Sequence, residues 1–399
     1  MASPASAEET FTLLKDEAPM EKFSTDVSVS HSAKRGQVTL VLQGGGALGA
    51  YQAGVYQAMH EAGIEPDWVI GTSIGAINAS LIAGNDPLAR LAALKEFWGR
   101  MEMSNAATRW SGAPRVASSL FGDPFAAIDN ISTFICGIPG FFEPNYSGLF
   151  GGAQKKLGVE KASLYSTRPL RKTLAELIDF DLVNRKSPRL TVGAARVGTG
   201  LLCYFDSRDM ALSIDHVMAS GALPLAFPPI YIDGHYYWDG GILSNTPIEA
   251  VFDDVKRRDG VVFTVHVWNA HGANPETLWQ VLNRQKDIQY SSRDATHIAR
   301  QKQIHKLRHI IKELAAHLPE EKQHDETVKD LVSYGCLTRM HVVRLQAPPL
   351  EDENHLKDID FSAQGIRKRW SIGYKHTMRA IEQAPWQIES DPLDGCDPS

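Results

Sequence analysis

Cysteine is scarce: Cys136, Cys203, Cys336 and Cys396 are the only four, and no two stand at a spacing that suits a metal or a redox couple. They read as free thiols of a reducing compartment, not as a disulfide framework. Nowhere do about 20 apolar residues run uninterrupted, which excludes a membrane-spanning helix. Residues 1–36 carry acids early, at Glu8, Glu9, Asp16 and Glu17, and lack the apolar stretch of a secretory signal. Long Lys/Arg runs are missing too. With a net charge of -6 and only the short cluster Arg367-Lys368-Arg369, which reads as a solvated helix face, a nucleic-acid partner has no electrostatic support. No EF-hand spacing or dense acidic cluster occurs, so neither a metal nor another cofactor is expected. No internal repeat is visible. These absences place the chain in the cytoplasm and leave peripheral membrane contact, through apolar surface, open.

A hydrophobic fraction of 43% against 22% charged residues leaves ample material for a substantial core. A flexible segment is expected over 1–36, a main domain over 37–267 and a mostly helical extension over 268–399. Val38–Leu42 reads as a buried strand that runs into Gly44-Gly45-Gly46 and then a helix from Ala47 to Ala62. Trp68–Ile70, a turn over Gly71–Gly75 and a helix from Ala76 to Ala83 repeat the pattern, and Pro87–Met101 adds a further helix. Two consecutive strand–turn–helix units predict an α/β fold with a mostly parallel sheet. A helix near Leu170–Ile178, a hairpin of Arg189–Val197 with Leu201–Phe205, and strands at Val261–Val267 and Val342–Leu345 follow. Between 104 and 165 regularity dissolves into Gly, Pro, Ser and aromatics, among them Phe121, Phe125, Phe134, Phe141, Phe142, Tyr146 and Phe150. Such an insert suits a lid or substrate wall, with an ordered structural insert as the alternative. A long amphipathic helix carries Ile298, Ile304, Leu307, Ile310, Ile311, Leu314 and Leu318. It reads as packed on the domain, the alternative being a membrane-lying or dimerising helix.

Gly71-Thr72-Ser73-Ile74-Gly75 has the G-x-S-x-G form at a strand-to-helix junction, where a sharp turn projects a serine hydroxyl clear of the sheet. Gly71 and Gly75 keep the turn free of clashes. The earlier run Gly44-Gly45-Gly46-Ala47-Leu48-Gly49 also satisfies a dinucleotide-binding pattern, but that reading needs an acid at the C-terminal end of the second strand. Asp67 lies at the opposite end of that strand. The turn instead suits an oxyanion hole, with the N–H groups of Gly45, Gly46 and Ala47 facing Ser73 across neighbouring strands. None of the 14 histidines lies in a recognisable motif: His60 belongs to the first helix, and His297, His305, His309 and His317 fit surface or capping positions on the long one. Asp239, in Tyr237-Trp238-Asp239-Gly240-Gly241, is on its own merits a turn former.

Taken together, GGGALG, GTSIG and DGG, in this order and spacing, resemble the patatin-like phospholipase family. Ala219-Ser220-Gly221-Ala222-Leu223-Pro224 and Asn245-Thr246-Pro247 add to the similarity, which covers roughly Gln37 to Val267. The resemblance implies a three-layer α/β sandwich with a central mostly parallel sheet, and a Ser-Asp dyad without histidine. By motif position Ser73 is then the nucleophile, Asp239 the base and Gly44 to Ala47 the oxyanion loop, with Gly49, Gly71, Gly75, Gly240 and Gly241 supporting them. The substrate implied is a lipid ester, cleaved through an acyl-serine. Lys357–Ser362, Arg369-Trp370 and Gly373-Tyr374 are similar to a C-terminal extension of a bacterial subgroup, whose role the resemblance does not define. Two other readings compete: a Ser-His-Asp hydrolase, which would require a histidine at the site, and an idle lipid-binding module on the same scaffold.

Overall fold

A computed structural model describes residues 36–102, 137–150, 154, 156–350, 353 and 356–387. The N-terminal segment and most of the 104–165 insert, including Phe121, Phe125 and Phe134, lie outside the described residues, as do Cys136 and Cys396. Cys203 and Cys336 are free thiols.

The chain runs β1 (Gln37–Leu42), α1 (Ala50–Glu61), β2 (Trp68–Gly71), α2 (Ile74–Ala83) and α3 (Pro87–Met101). After the small ladder of β3 (Glu143–Pro144) with β4 (Tyr165–Ser166) come α4 (Arg168–Leu177), β5 (Arg189–Arg196) and β6 (Leu202–Asp206). α5 (Ile214–Ser220), β7 (Ile230–Ile232), β8 (His235–Asp239), α6 (Glu249–Phe252) and β9 (Gly260–His266) follow. The extension supplies α7 (Leu278–Ala316), β10 (Met340–Gln346) and α8 (Ala363–Gln383). The main sheet has the order β10-β9-β1-β2-β5-β8-β7, with β6 also paired to β5. β10, β9, β1, β2 and β5 are parallel, while β6, β7 and β8 pair antiparallel. The expected mostly parallel sheet with helices on both sides is therefore present.

Side-chain alternation along the strands explains why both faces are covered. Leu40 and Leu42 of β1, Phe263 and Val265 of β9, and Val343 and Leu345 of β10 join the larger core, beneath α1 and α2. Val41, Val262 and Val342 point the other way, into a smaller core with Trp68, Ile70 and the α6 residues Val251 and Phe252. β10, although it belongs to the extension, is thus an integral edge strand of the sheet. α8 crosses α1 at very close range, because Gly54 faces the Trp370 carbonyl and Gly373 faces that of Tyr51, where a Cβ on either glycine would overlap backbone.

The long helix is well built at its start: Thr277 and Gln280 form a reciprocal capping box. Its apolar stripe divides, Ile310 and Ile311 being half-buried while Leu307 and Leu314 are exposed; Leu318 lies past its end. His305 and His309, expected at surface or capping positions, are not at the surface. Both are buried, and each donates from Nε2 to the single carbonyl of Thr338, at 2.9 and 3.0 Å, which fastens α7 to the chain entering β10. Helical spacing of four residues is what lets both rings reach one acceptor. No helix among the described residues is long and apolar enough to cross a membrane.

Candidate active site

Register brings the motifs together. Leu42 of β1 pairs with Gly71 of β2, Gly71 with Val192 of β5, and Ala194 of β5 with Asp239 of β8. Gly44 and Ser73 each lie two residues past that row on their own strands, and Asp239 stands opposite the residue two past it on β5. Three motifs far apart in sequence therefore meet at one sheet edge, where the strands of an open parallel sheet leave room for a site.

Ser73 occupies a strained conformation, φ 56° and ψ -125°, directly before α2. This left-handed backbone disfavours any residue but glycine, and its retention by a serine shows that the surroundings hold it. Gly71 and Gly75 are obligatory: a Cβ on the first would overlap the Gly75 carbonyl group, and on the second the Leu42 carbonyl. Ser220, fully buried at the end of α5, provides the hold. Its Oγ accepts from the Ser73 N–H at 3.1 Å and donates to the Gly193 carbonyl at 2.7 Å. Gly49 packs on Ile74, and its carbonyl accepts from Asn78 Nδ2 at 3.1 Å, so the glycine loop and α2 are tied together.

Ser73 and Asp239 line the same cleft, and the Ser73 hydroxyl is near enough to the Asp239 carboxylate to pull its pKa down. Asp239 Oδ1 accepts from the Gly241 N–H at 2.7 Å, and the Asp239 N–H donates to Ala222 at 2.9 Å. Gly240 allows this turn by lying flat against the Gly193 carbonyl of β5. Asp239 is buried, and burial raises its pKa from 3.8 to about 6, against the opposing pull of the Ser73 hydroxyl and the Gly241 N–H. No histidine lines the cleft among the described residues. His216, the buried histidine of α5, caps its own helix through Ser213 instead.

The glycine loop is fixed by its carbonyl side. Gly44 O accepts from Trp268 Nε1 at 2.8 Å and Asn245 Nδ2 at 3.1 Å, while the Gly44 N–H donates to the Asn245 carbonyl at 3.1 Å. Because carbonyl and N–H of one peptide point opposite ways, anchoring Gly44 O turns the Gly45 N–H away from these partners. Gly44, Gly45 and Gly46 line the cleft, and the Ala47 side chain packs into the core within the short 3-10 turn Gly46–Gly49. The N–H of Ile74, at the start of α2, stands next to the serine. Helix N-termini favour negative charge.

Ser73 and Asp239 lie in a cleft of about 990 Å³, part of it open to solvent. Its walls are mainly apolar: Ile74 and Ile77 from α2, Phe141, Phe142 and Tyr165 from the described part of the insert, Phe227, and Ile359 and Phe361 from the extension. Only these three residues of the insert's described part line the cleft. Ser220 and Asn245 stood inside quoted motifs, yet their bonds could not be read there. Trp268 comes from outside those motifs, brought in by β9, and Phe361, within the stretch Lys357–Ser362 whose role the resemblance left undefined, reaches the cleft with the chain after β10.

A strained serine at a strand-to-helix turn, with glycine N–H groups beside it and an apolar cleft around it, is the arrangement that defines serine hydrolase sites on an α/β sheet. Comparison with known proteins narrows that class. A family model described as patatin-like phospholipase matches residues 40–252, just over half of the chain, and one described as patatin phospholipase matches 288–393. The chain belongs to the patatin-like phospholipase family.

Among individual proteins, lysophospholipase nte1 of Aspergillus terreus is 51% identical over 65 residues, which are 16% of this chain and 4% of the fungal protein. A cGAMP-activated phospholipase of Vibrio cholerae is 28% identical over 130 residues, 29% of this chain and 37% of that one. The chain therefore matches only a small part of the length of these relatives. The crystal structure of VipD from Legionella pneumophila aligns over 93% of this chain and 73% of its own, with 16% identity and a TM-score of 0.36.

Proposed function

We propose that the protein is a lipid acyl hydrolase in which Ser73 is the nucleophile, Asp239 its only catalytic partner, and the Gly45 and Gly46 N–H groups, with that of Ile74, the oxyanion hole. The observation that carries this reading is that Ser73, in its strained turn, and a buried carboxylate, that of Asp239, line one cleft beside Gly45 and Gly46, and burial lifts the Asp239 pKa to about 6. An ordinary aspartate is too weak a base for a hydroxyl; desolvation brings this one nearer to the task. As Oγ attacks the ester carbonyl, Asp239 takes its proton and the loop N–H groups meet the developing negative oxygen. The protonated acid returns the proton to the leaving alcohol, forming the acyl-serine. Asp239 then activates a water that releases the fatty acid and restores Ser73.

The apolar cleft favours a long acyl chain, and the names of the fungal and Vibrio relatives make phospholipids and lysophospholipids the first substrates to try. A fluorophosphonate probe should label the parent and fail to label Ser73→Ala, and the same substitution should abolish hydrolysis of a chromogenic fatty-acyl ester. Retained turnover in Ser73→Ala would sink the reading. An unlabelled, folded parent would favour an idle lipid-binding module.

A further inference from the structure

The chain between β10 and α8 leaves the sheet edge and comes back to the cleft. There the Asp358 carbonyl lies against Gly46 so closely that no Cβ fits between them. The single turn Lys357–Ile359 is held by two crossed ion pairs to adjacent residues of α7: Lys286 Nζ to Asp358 at 2.8 Å, and Lys357 Nζ to Asp287 at 2.6 Å. The Lys357 and Asp287 side chains are only 6% and 12% exposed, so this pair has one geometry available and fixes the register of the segment. Two residues further on, Phe361 is 2% exposed and lines the cleft. Its ring packs on Phe141 at 5.8 Å and on Trp98 at 6.3 Å, and Trp98 is itself anchored by Nε1 to Asn78 at 3.0 Å. Behind Phe361 there is therefore solid core.

We propose that this segment of the C-terminal extension determines acyl-chain specificity: Phe361, held in register by the crossed Lys286–Asp358 and Lys357–Asp287 pairs, closes the cavity that receives the chain. The inference rests on the acyl-hydrolase reading above and assigns the extension a part in the site. A chain that reaches the ring is stopped by a wall that cannot retreat, because Trp98 backs it. Replacing the ring by a smaller side chain opens space toward Trp98 for further methylenes, and each methylene accommodated in an apolar pocket changes discrimination by roughly 10-fold or more.

The test compares kcat/KM for p-nitrophenyl esters of butanoate, octanoate, dodecanoate and hexadecanoate, using the full chain and its Phe361→Ala and Phe361→Leu variants. The long-to-short ratio should rise about 10-fold or more in Phe361→Ala, and in the same direction by less in Phe361→Leu. An unchanged ratio in a folded variant overturns the proposal, and if the alanine variant does not fold, Phe361→Leu decides alone. Lys286→Met should blunt the parent's chain-length preference; an unaltered profile would refute the clamping role of the pairs. Failure of the acyl-hydrolase reading looks different: the parent would turn over no ester of any length, and this inference would fall with it.

Discussion

Asp239→Asn should inactivate the protein and stabilise it. Asp239 is buried, with a pKa of about 6 against an ordinary 3.8. Between those two values the native state keeps a proton that the unfolded chain has released, so stability falls as the pH rises across the interval and stays reduced above it. At about 1.4 kcal/mol per pH unit the full interval amounts to about 3 kcal/mol at neutral pH. Asparagine removes the ionisation, accepts from the Gly241 N–H as before and donates to the Ser73 hydroxyl, so it orphans no buried group. Its stability advantage over the parent should be small near pH 4, grow to about 1–3 kcal/mol by pH 7 and then level off. Urea unfolding of parent and variant at five pH values between 4 and 8 reads this directly. Over the same range kcat/KM of the parent should rise with an apparent pKa near 6, and the variant should lose about 10²–10⁴-fold in rate. A stability difference that does not vary with pH, or an asparagine variant less stable than the parent at pH 7, would refute the idea that a desolvated carboxylate sits under Ser73.

Other outcomes follow from the parts that hold the serine and the loop. Ser220→Ala leaves the Ser73 N–H and the Gly193 carbonyl without their partner and should lower stability by about 1–3 kcal/mol in urea titrations. It should reduce kcat about 10-fold or more with little change in KM, because the elbow loosens while the acyl cavity is untouched. Gly75→Ala forces a Cβ onto the Leu42 carbonyl; thermal unfolding should report a loss of about 1–3 kcal/mol and fluorophosphonate labelling should fall with it. The proposed dyad uses no metal, so incubation with EDTA should leave ester turnover unchanged; a clear loss would require a different mechanism.

What could be read from the sequence was local. Strand–glycine–helix units are contiguous, so β1, β2, α2, α3 and the β5–β6 hairpin stood out, and the resemblance joined Ser73 to Asp239 across the intervening chain. Geometry between distant segments could not be read in that way. Ser220 lies within a recognised string, but only the approach of α5 to β5 makes it the ligand of the Ser73 N–H. Trp268 is one aromatic after an apolar strand until the β1–β9 register sets it beside Gly44. The run Gly44–Ala47 is continuous in sequence, and only the 3-10 turn that begins at Gly46 shows that the Ala47 side chain packs into the core. His305 and His309 looked solvent-facing because the helix carrying them is rich in Arg, Lys and Gln. Their burial depends on Thr338, which no pattern on that helix announces.

The position of β10 has a consequence for how the molecule comes into being. A growing chain that has reached Val267 already contains Ser73, Asp239 and every glycine of the three motifs, yet the outer edge of β9 then offers a row of unpaired donors and acceptors to whatever is nearby. α1 at that moment also lacks α8, and the glycine loop lacks the backing of Asp358. Cutting an expression fragment to the segment that carries the motifs would freeze the protein in that half-built, edge-exposed condition. The three motifs are synthesised before the strand and helix that cover the elements carrying them.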